Sequence, residues 1–182
     1  LAGLQAGQCI ATIGSGSVSQ FALQFAKTAG ARVISISSSD EKLQTLKMLG
    51  ASDVINSQKF PNWSEEVRRL TGNQGVDAIL DVGGASTITN SIQSVKRHGF
   101  VGVVGFLGGP VLTVDFFRMI TYNVTLQGLS GGSRSSFERM VSAIEKNQVV
   151  PVIDRVFDIE QTKDAFYYLK QKSSIGKVVI AI

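Results

Sequence analysis

Short, nearly continuous apolar runs alternate along this chain with segments whose apolar residues recur at helical spacing. The first kind reads as strands buried on both faces, the second as amphipathic helices. Strands are predicted at about 8–13, 32–36, 53–56, 76–82, 100–105 and 124–129. After the first, Val18, Phe21, Ala22, Phe25 and Ala29 form one apolar stripe, and Gly30 closes that helix. Ser38-Ser39-Asp40-Glu41 reads as a capping box for a helix buried through Leu43, Leu46 and Leu49. Asn62, with Glu65 after it, opens a helix that faces inward through Trp63, Val67 and Leu70. Ile88, Ile92 and Val95 mark the next one.

This alternation predicts an α/β protein with a Rossmann-type, doubly wound parallel sheet. Right-handed crossovers with the first strand central give the strand order 3-2-1-4-5-6. That domain spans residues 1–133. Residues 134–182 carry a helix with Phe137, Met140, Val141 and Ile144, a strand at 152–157, a helix at 160–170 and a strand at 177–182. They read as a C-terminal helix–strand appendage to the sheet and not as a further winding of it.

The chemistry begins at Gly14-Ser15-Gly16-Ser17-Val18-Ser19, between the first strand and its helix. Such a loop lays backbone N–H groups and a helix N-terminus against a pyrophosphate. Gly14 permits the tight turn, Gly16 lets the backbone approach the phosphates, and Ser19 takes the third, small-residue position. Open α/β sheets bind ligands at the carboxyl ends of their strands. Gly83 and Gly84, Phe106 and Leu107, and Leu129 and Gly131 follow strands four, five and six, and are expected to line the nicotinamide half. At the end of strand two an NAD-specific unit carries an acid. Here Ser37 takes that place, followed by Ser38 and Ser39. Hydroxyls at a helix N-terminus can donate to a 2′-phosphate that a carboxylate would repel. Helix capping accounts for Ser38 but not for the missing acid, so NADP(H) is favoured over NAD(H). Asp40 and Glu41 fall within the helix and are expected to point elsewhere.

Composition narrows the rest. The 182 residues are 43% hydrophobic with 19 glycines, which suits one globular domain or one with an appendage. The single cysteine, Cys9, lies in the first strand, excludes an internal disulfide framework and reads as a buried, inert thiol. The single histidine, His98, sits in the turn Lys96-Arg97-His98-Gly99 with no partner to ligate beside it, so no metal is expected. The net charge of +4 is spread over scattered residues, which argues against nucleic acid as a partner. No membrane span or signal peptide is recognisable, and a cytoplasmic protein is expected.

The chain resembles the cofactor half of the medium-chain dehydrogenase/reductase superfamily, the zinc-type alcohol dehydrogenases and quinone oxidoreductases. The resemblance is carried by the glycine loop, Ala29-Gly30-Ala31-Arg32-Val33-Ile34, Ser38-Ser39-Asp40-Glu41-Lys42, Leu49-Gly50-Ala51 with Val54-Ile55-Asn56, Gly75-Val76-Asp77, Gly132-Ser133-Arg134 and Gly176-Lys177-Val178-Val179-Ile180. It implies an oxidoreductase that transfers hydride to or from a carbonyl, quinone or activated alkene. Lys42 aligns with a lysine that grips the 2′-phosphate in NADP-using relatives. Lys177 falls where the family supplies a basic contact to the pyrophosphate, or is an exposed lysine at a strand start. Arg134 is similarly a phosphate contact or a surface charge. Ser57 stands where relatives often carry tyrosine, so an adenine-side contact is expected to be lost.

The family's catalytic domain has no counterpart among these residues, which implies that the chain binds cofactor without turnover and holds no catalytic residue. Residues 134–182 would pack on that domain, and the strands near Val152 and Lys177 would lack their usual partners. The resemblance also implies a homodimer through strand 124–129, whose edge carries no lysine or proline. A stand-alone, non-catalytic NADPH-binding sensor or interaction module would share the same fingerprint.

Overall fold

A parallel sheet must bury both faces, and the alternation of side chains along its strands supplies two separate cores. The computed structural model describes residues 3–106, 108–171 and 174–182. Its main sheet contains β1 (Cys9–Ile13), β2 (Arg32–Ser37), β3 (Asp53–Asn56), β4 (Val76–Asp81), β5 (Val95–Val103) and β6 (Thr125–Gly128). They lie in the order β3-β2-β1-β4-β5-β6, all parallel, as the sequence predicts. Ile10 and Val33 point to one face, where Leu23 and Ala26 of α1 (Ser17–Thr28) and Leu43 and Leu46 of α2 (Asp40–Met48) cover them. Ala11, Ile34, Ile79 and Val101 point to the other. There they meet Trp63 and Val67 of α3 (Trp63–Leu70) and Ile88 and Ile92 of α4 (Ile88–Ser94). No helix among the described residues is long and apolar enough to cross a membrane.

Several local expectations are corrected. The residues of α1 that are buried are Ser19, Gln20, Leu23 and Ala26, not the stripe Val18, Phe21, Ala22, Phe25 and Ala29. The helix turns its small and polar side onto the glycine loop, and Ala22, Phe25 and Ala29 instead border an open apolar groove beside Ala78, Phe100 and Leu129. Ser39 is the N-cap of α2 but makes no side-chain cap bond, so there is no capping box. Asn62 likewise precedes α3 without a side-chain cap bond. That end is held from a distance by Asn90, whose Oδ1 accepts from the Ser64 N–H at 3.0 Å and whose Nδ2 donates to the Pro61 carbonyl at 3.2 Å.

Strand five begins earlier than expected, at Val95, and its register with β4 shifts between Val76 and Ala78. The excursion Lys96–Gly99 carries an exposed His98 at φ 60°. One helix was not foreseen. It is α5 (Phe116–Tyr122), started by Asp115, whose carboxylate accepts from the Arg118 N–H at 2.9 Å.

The appendage also differs from expectation. α6 (Arg134–Asn147) buries no residue, and Phe137 is 60% exposed. The strands near Val152 and Lys177 are not orphaned, because β7 (Ile153–Asp158) and β8 (Lys177–Ala181) pair with each other in a separate two-stranded parallel sheet. A parallel pair needs a crossover, and α7 (Thr162–Lys170) provides it.

Arg68 ties the lower edge of the main sheet together. Its guanidinium donates to the carbonyls of Asn73, Gln93 and Val95, each at 2.8 Å, and it lies 5.6 Å from the centre of the Tyr122 ring. Arg68→Met keeps the apolar stem but strands these acceptors. It is expected to lower the unfolding free energy by about 2–3 kcal/mol, read from the midpoint of urea denaturation at unchanged slope.

Candidate functional site

β1 ends at Ile13, and the chain must turn sharply to start α1. Gly14 takes φ 86°, a left-handed conformation that disfavours other residues, and its N–H donates to the Ile36 carbonyl at 2.7 Å. Two buried side chains of α1 then fix the loop from behind. Ser19 Oγ donates to the Ile13 carbonyl at 2.5 Å, and Gln20 Nε2 donates to the Ser15 carbonyl at 2.8 Å. The serine at the third fingerprint position is therefore a hydrogen-bonded brace as well as a small residue. Gly16 is the N-cap and brings no capping side chain, and a Cβ placed on it would meet nothing within 4 Å. The first-turn N–H groups of α1, which lack intrahelical partners, are thus left open to a ligand.

These groups face a cleft of about 410 Å³ lined by Gly16, Ser17, Val18, Ser19, Val82, Val104, Gly105, Phe106 and Lys177. Its far wall follows β4 and β5. There Gly105 lies so near the Val82 carbonyl that a Cβ would collide with it. Below that wall sits Asp81, fully buried. One carboxylate oxygen accepts from the N–H groups of Gly83 and Gly84, both at 2.9 Å, and from Thr87 Oγ1 at 2.6 Å. The other accepts from Ser91 Oγ at 2.6 Å. Asp81 therefore shapes the turn after β4, and the Gly83 carbonyl accepts from the Gly108 N–H at 3.1 Å.

The third wall comes from the appendage. Gly176 forms an isolated parallel bridge with Gly16, and Ser17 Oγ donates to the Gly176 carbonyl at 3.3 Å. Lys177 consequently stands in the cleft beside the glycine loop. Arg134 does not join it, being paired with Glu138 at 2.8 Å on the exposed side of α6. Gly83 and Gly84 pack behind the cleft against Gly105 and Gly108. Leu129 lies in the apolar groove, Gly131 is exposed, and Leu107 falls outside the described residues.

At the ends of β2 and β3, Ser37 is only 5% exposed, whereas Ser38 is exposed and Ser39 and Lys42 are half-buried around the start of α2. Asp40 Oδ2 accepts from Lys59 Nζ at 2.7 Å and Oδ1 from Asn56 Nδ2 at 2.7 Å. Lys59 first, then Asn56, hold the Asp40 carboxyl below its usual range.

The sequence alone does not mark Ser19 as a hydrogen-bonding residue, nor Gln20, Asp81 or Asn56 as residues that brace the site. Two signals were available: a glutamine inside an apolar helical run, and an aspartate between an apolar strand and a Gly-Gly turn. Elsewhere the chemistry is spare. Burial pushes the Cys9 thiol up to about 11, so it stays protonated near neutrality and is no nucleophile. Among the described residues no group of three or more His, Cys, Asp or Glu could hold a metal ion.

The zinc-binding dehydrogenase family profile matches residues 17–146. A zinc-type alcohol dehydrogenase-like protein of Schizosaccharomyces pombe is 39% identical over 97% of this chain and 52% of its own length. Among solved structures, an NAD-dependent alcohol dehydrogenase superposes with a TM-score of 0.90 at 30% identity, over 100% of this chain and 53% of that one. A mycobacterial protein complexed with NADPH superposes with a TM-score of 0.85 at 26% identity, over 99% of this chain and 59% of its own. The chain spans about half the length of the curated relatives it matches. It belongs to the zinc-binding dehydrogenase family, within the medium-chain dehydrogenase/reductase superfamily, and corresponds to the Rossmann-fold part of those proteins.

Proposed function

We propose that this chain is the NADP(H)-binding part of an oxidoreductase that moves hydride to or from a carbonyl, quinone or activated alkene. The observation that carries the reading is the pairing of an open, uncapped helix N-terminus at Gly16 with an acid-free end of β2. The loop N–H groups and Lys177 hold the pyrophosphate. Ser38, Ser39 and Lys42 receive the 2′-phosphate, beside Ser37 at the end of β2. Phe106 and the Asp81-supported turn border the nicotinamide side. The bound dinucleotide supplies the hydride chemistry, and this chain's residues bind and orient it. Relatives with either cofactor exist, so the preference rests on these side chains alone.

The domain boundary follows the same reading. Residues 1–133 form the cofactor unit. Residues 134–182, with exposed Phe137, Val156, Phe166 and Tyr167, pack on the catalytic part of a longer polypeptide, which supplies the catalytic groups. Calorimetric titration tests the cofactor assignment. NADPH is expected to bind more tightly than NADH, and Lys42→Ala to weaken NADPH about tenfold with NADH little changed, as for loss of one charged hydrogen bond. Tighter binding of NADH would overturn the assignment.

A homodimer through β6 belongs to the same proposal. β6 is the last strand of the main sheet, its outer edge pairs with no strand among the described residues, and Thr125, Gln127 and Gly128 are exposed. Light scattering is expected to report a dimer. Gln127→Lys, which places a charge on that edge, is expected to shift it to monomer, and a wild-type monomer at high concentration would rule the dimer out.

A further inference from the structure

An acid does stand close to the proposed 2′-phosphate site, one position beyond the serines. Asp40 opens α2 directly after Ser38 and Ser39, so its charge lies at the same helix N-terminus that is to receive the phosphate. Left alone it would oppose a dianion there. The structure does not leave it alone. Asn56, 8% exposed at the end of β3 and in register with Ser37, accepts the N–H groups of Gln58 at 2.9 Å and Lys59 at 3.3 Å on its Oδ1. With that oxygen engaged, its Nδ2 is aimed at Asp40, which it reaches at 2.7 Å. The same turn delivers Lys59 Nζ to the other Asp40 oxygen at 2.7 Å.

We propose that Lys59 is a specificity-determining residue for a 2′-phosphorylated dinucleotide, acting by neutralising Asp40 beside Ser38, Ser39 and Lys42. The inference rests on the NADP(H) reading above and adds to it a residue from a different strand end. NADH carries no 2′-phosphate, so the ion pair should leave its affinity unchanged. Lys59 and Asp40 expose 62% and 61% of their side chains, which limits the effect and makes it sensitive to salt. An uncompensated unit charge about 4 Å from the phosphate in water corresponds to about a fivefold change in affinity.

The test titrates NADPH and NADH into the wild type, Lys59→Ala, Asp40→Asn and the double variant, at low salt and at high salt. Lys59→Ala is expected to weaken NADPH about fivefold while NADH changes less than about twofold. Asp40→Asn should tighten NADPH by a similar factor, the double variant should fall near wild type, and all differences should shrink at high salt. If the wild type prefers NADPH and Lys59→Ala keeps that preference, or weakens both cofactors equally, this proposal fails while the NADP(H) reading stands. A wild type without preference for NADPH overturns that reading and this proposal together.

Discussion

The functional architecture depends on the reversal of strand order at β1. β1 is bonded to β2 on one side and to β4 on the other, and the helices that follow β1 and β4 leave toward opposite faces of the sheet. Two parallel strands whose connections diverge in this way open a crevice at their carboxyl ends. What the chain adds is rigidity around that opening. Ser19 and Gln20 hold the loop after β1 from within, and Asp81 holds the turn after β4 with four accepted hydrogen bonds. Both braces are buried polar groups with their partners satisfied, which is the condition under which such groups specify one geometry.

Much of this was legible in the sequence because it is written locally. The glycine loop, the strand order and the inward faces of α2 and α3 follow from periodicity and turn residues over short windows. The errors arise where a distant segment decides. The apolar stripe of α1 is present, but the side that carries Ser19 and Gln20 faces the loop, and Ala22, Phe25 and Ala29 border a groove. The start of α3 is held by Asn90, far along the chain, and no local capping pattern could announce that. The pairing of β7 with β8 was missed because parallel partners are set by a crossover and not by their own residues.

At the candidate site the same division holds. Gly14, Gly16, Ser38, Ser39 and Lys42 stand out in the sequence because their residue types carry the expected chemistry. Gln20, Asp81, Asn56 and Lys59 bond groups outside their own elements, and those contacts emerge only when strand ends are brought side by side. From the sequence, Asp40 falls within α2 and is expected to point away from the 2′-phosphate. Its carboxylate is indeed held toward β3, and the reason is a partner on the turn after β3.

The bridge between Gly16 and Gly176 joins two segments far apart in sequence, with Ser17 and Gly176 separated by 159 positions. Closing so long a loop is slow relative to forming the neighbouring turns and helices. During synthesis the glycine loop and its brace can form early, while Lys177 is still to be made. The third wall of the cleft therefore forms only once β8 has been made and has docked beside the glycine loop.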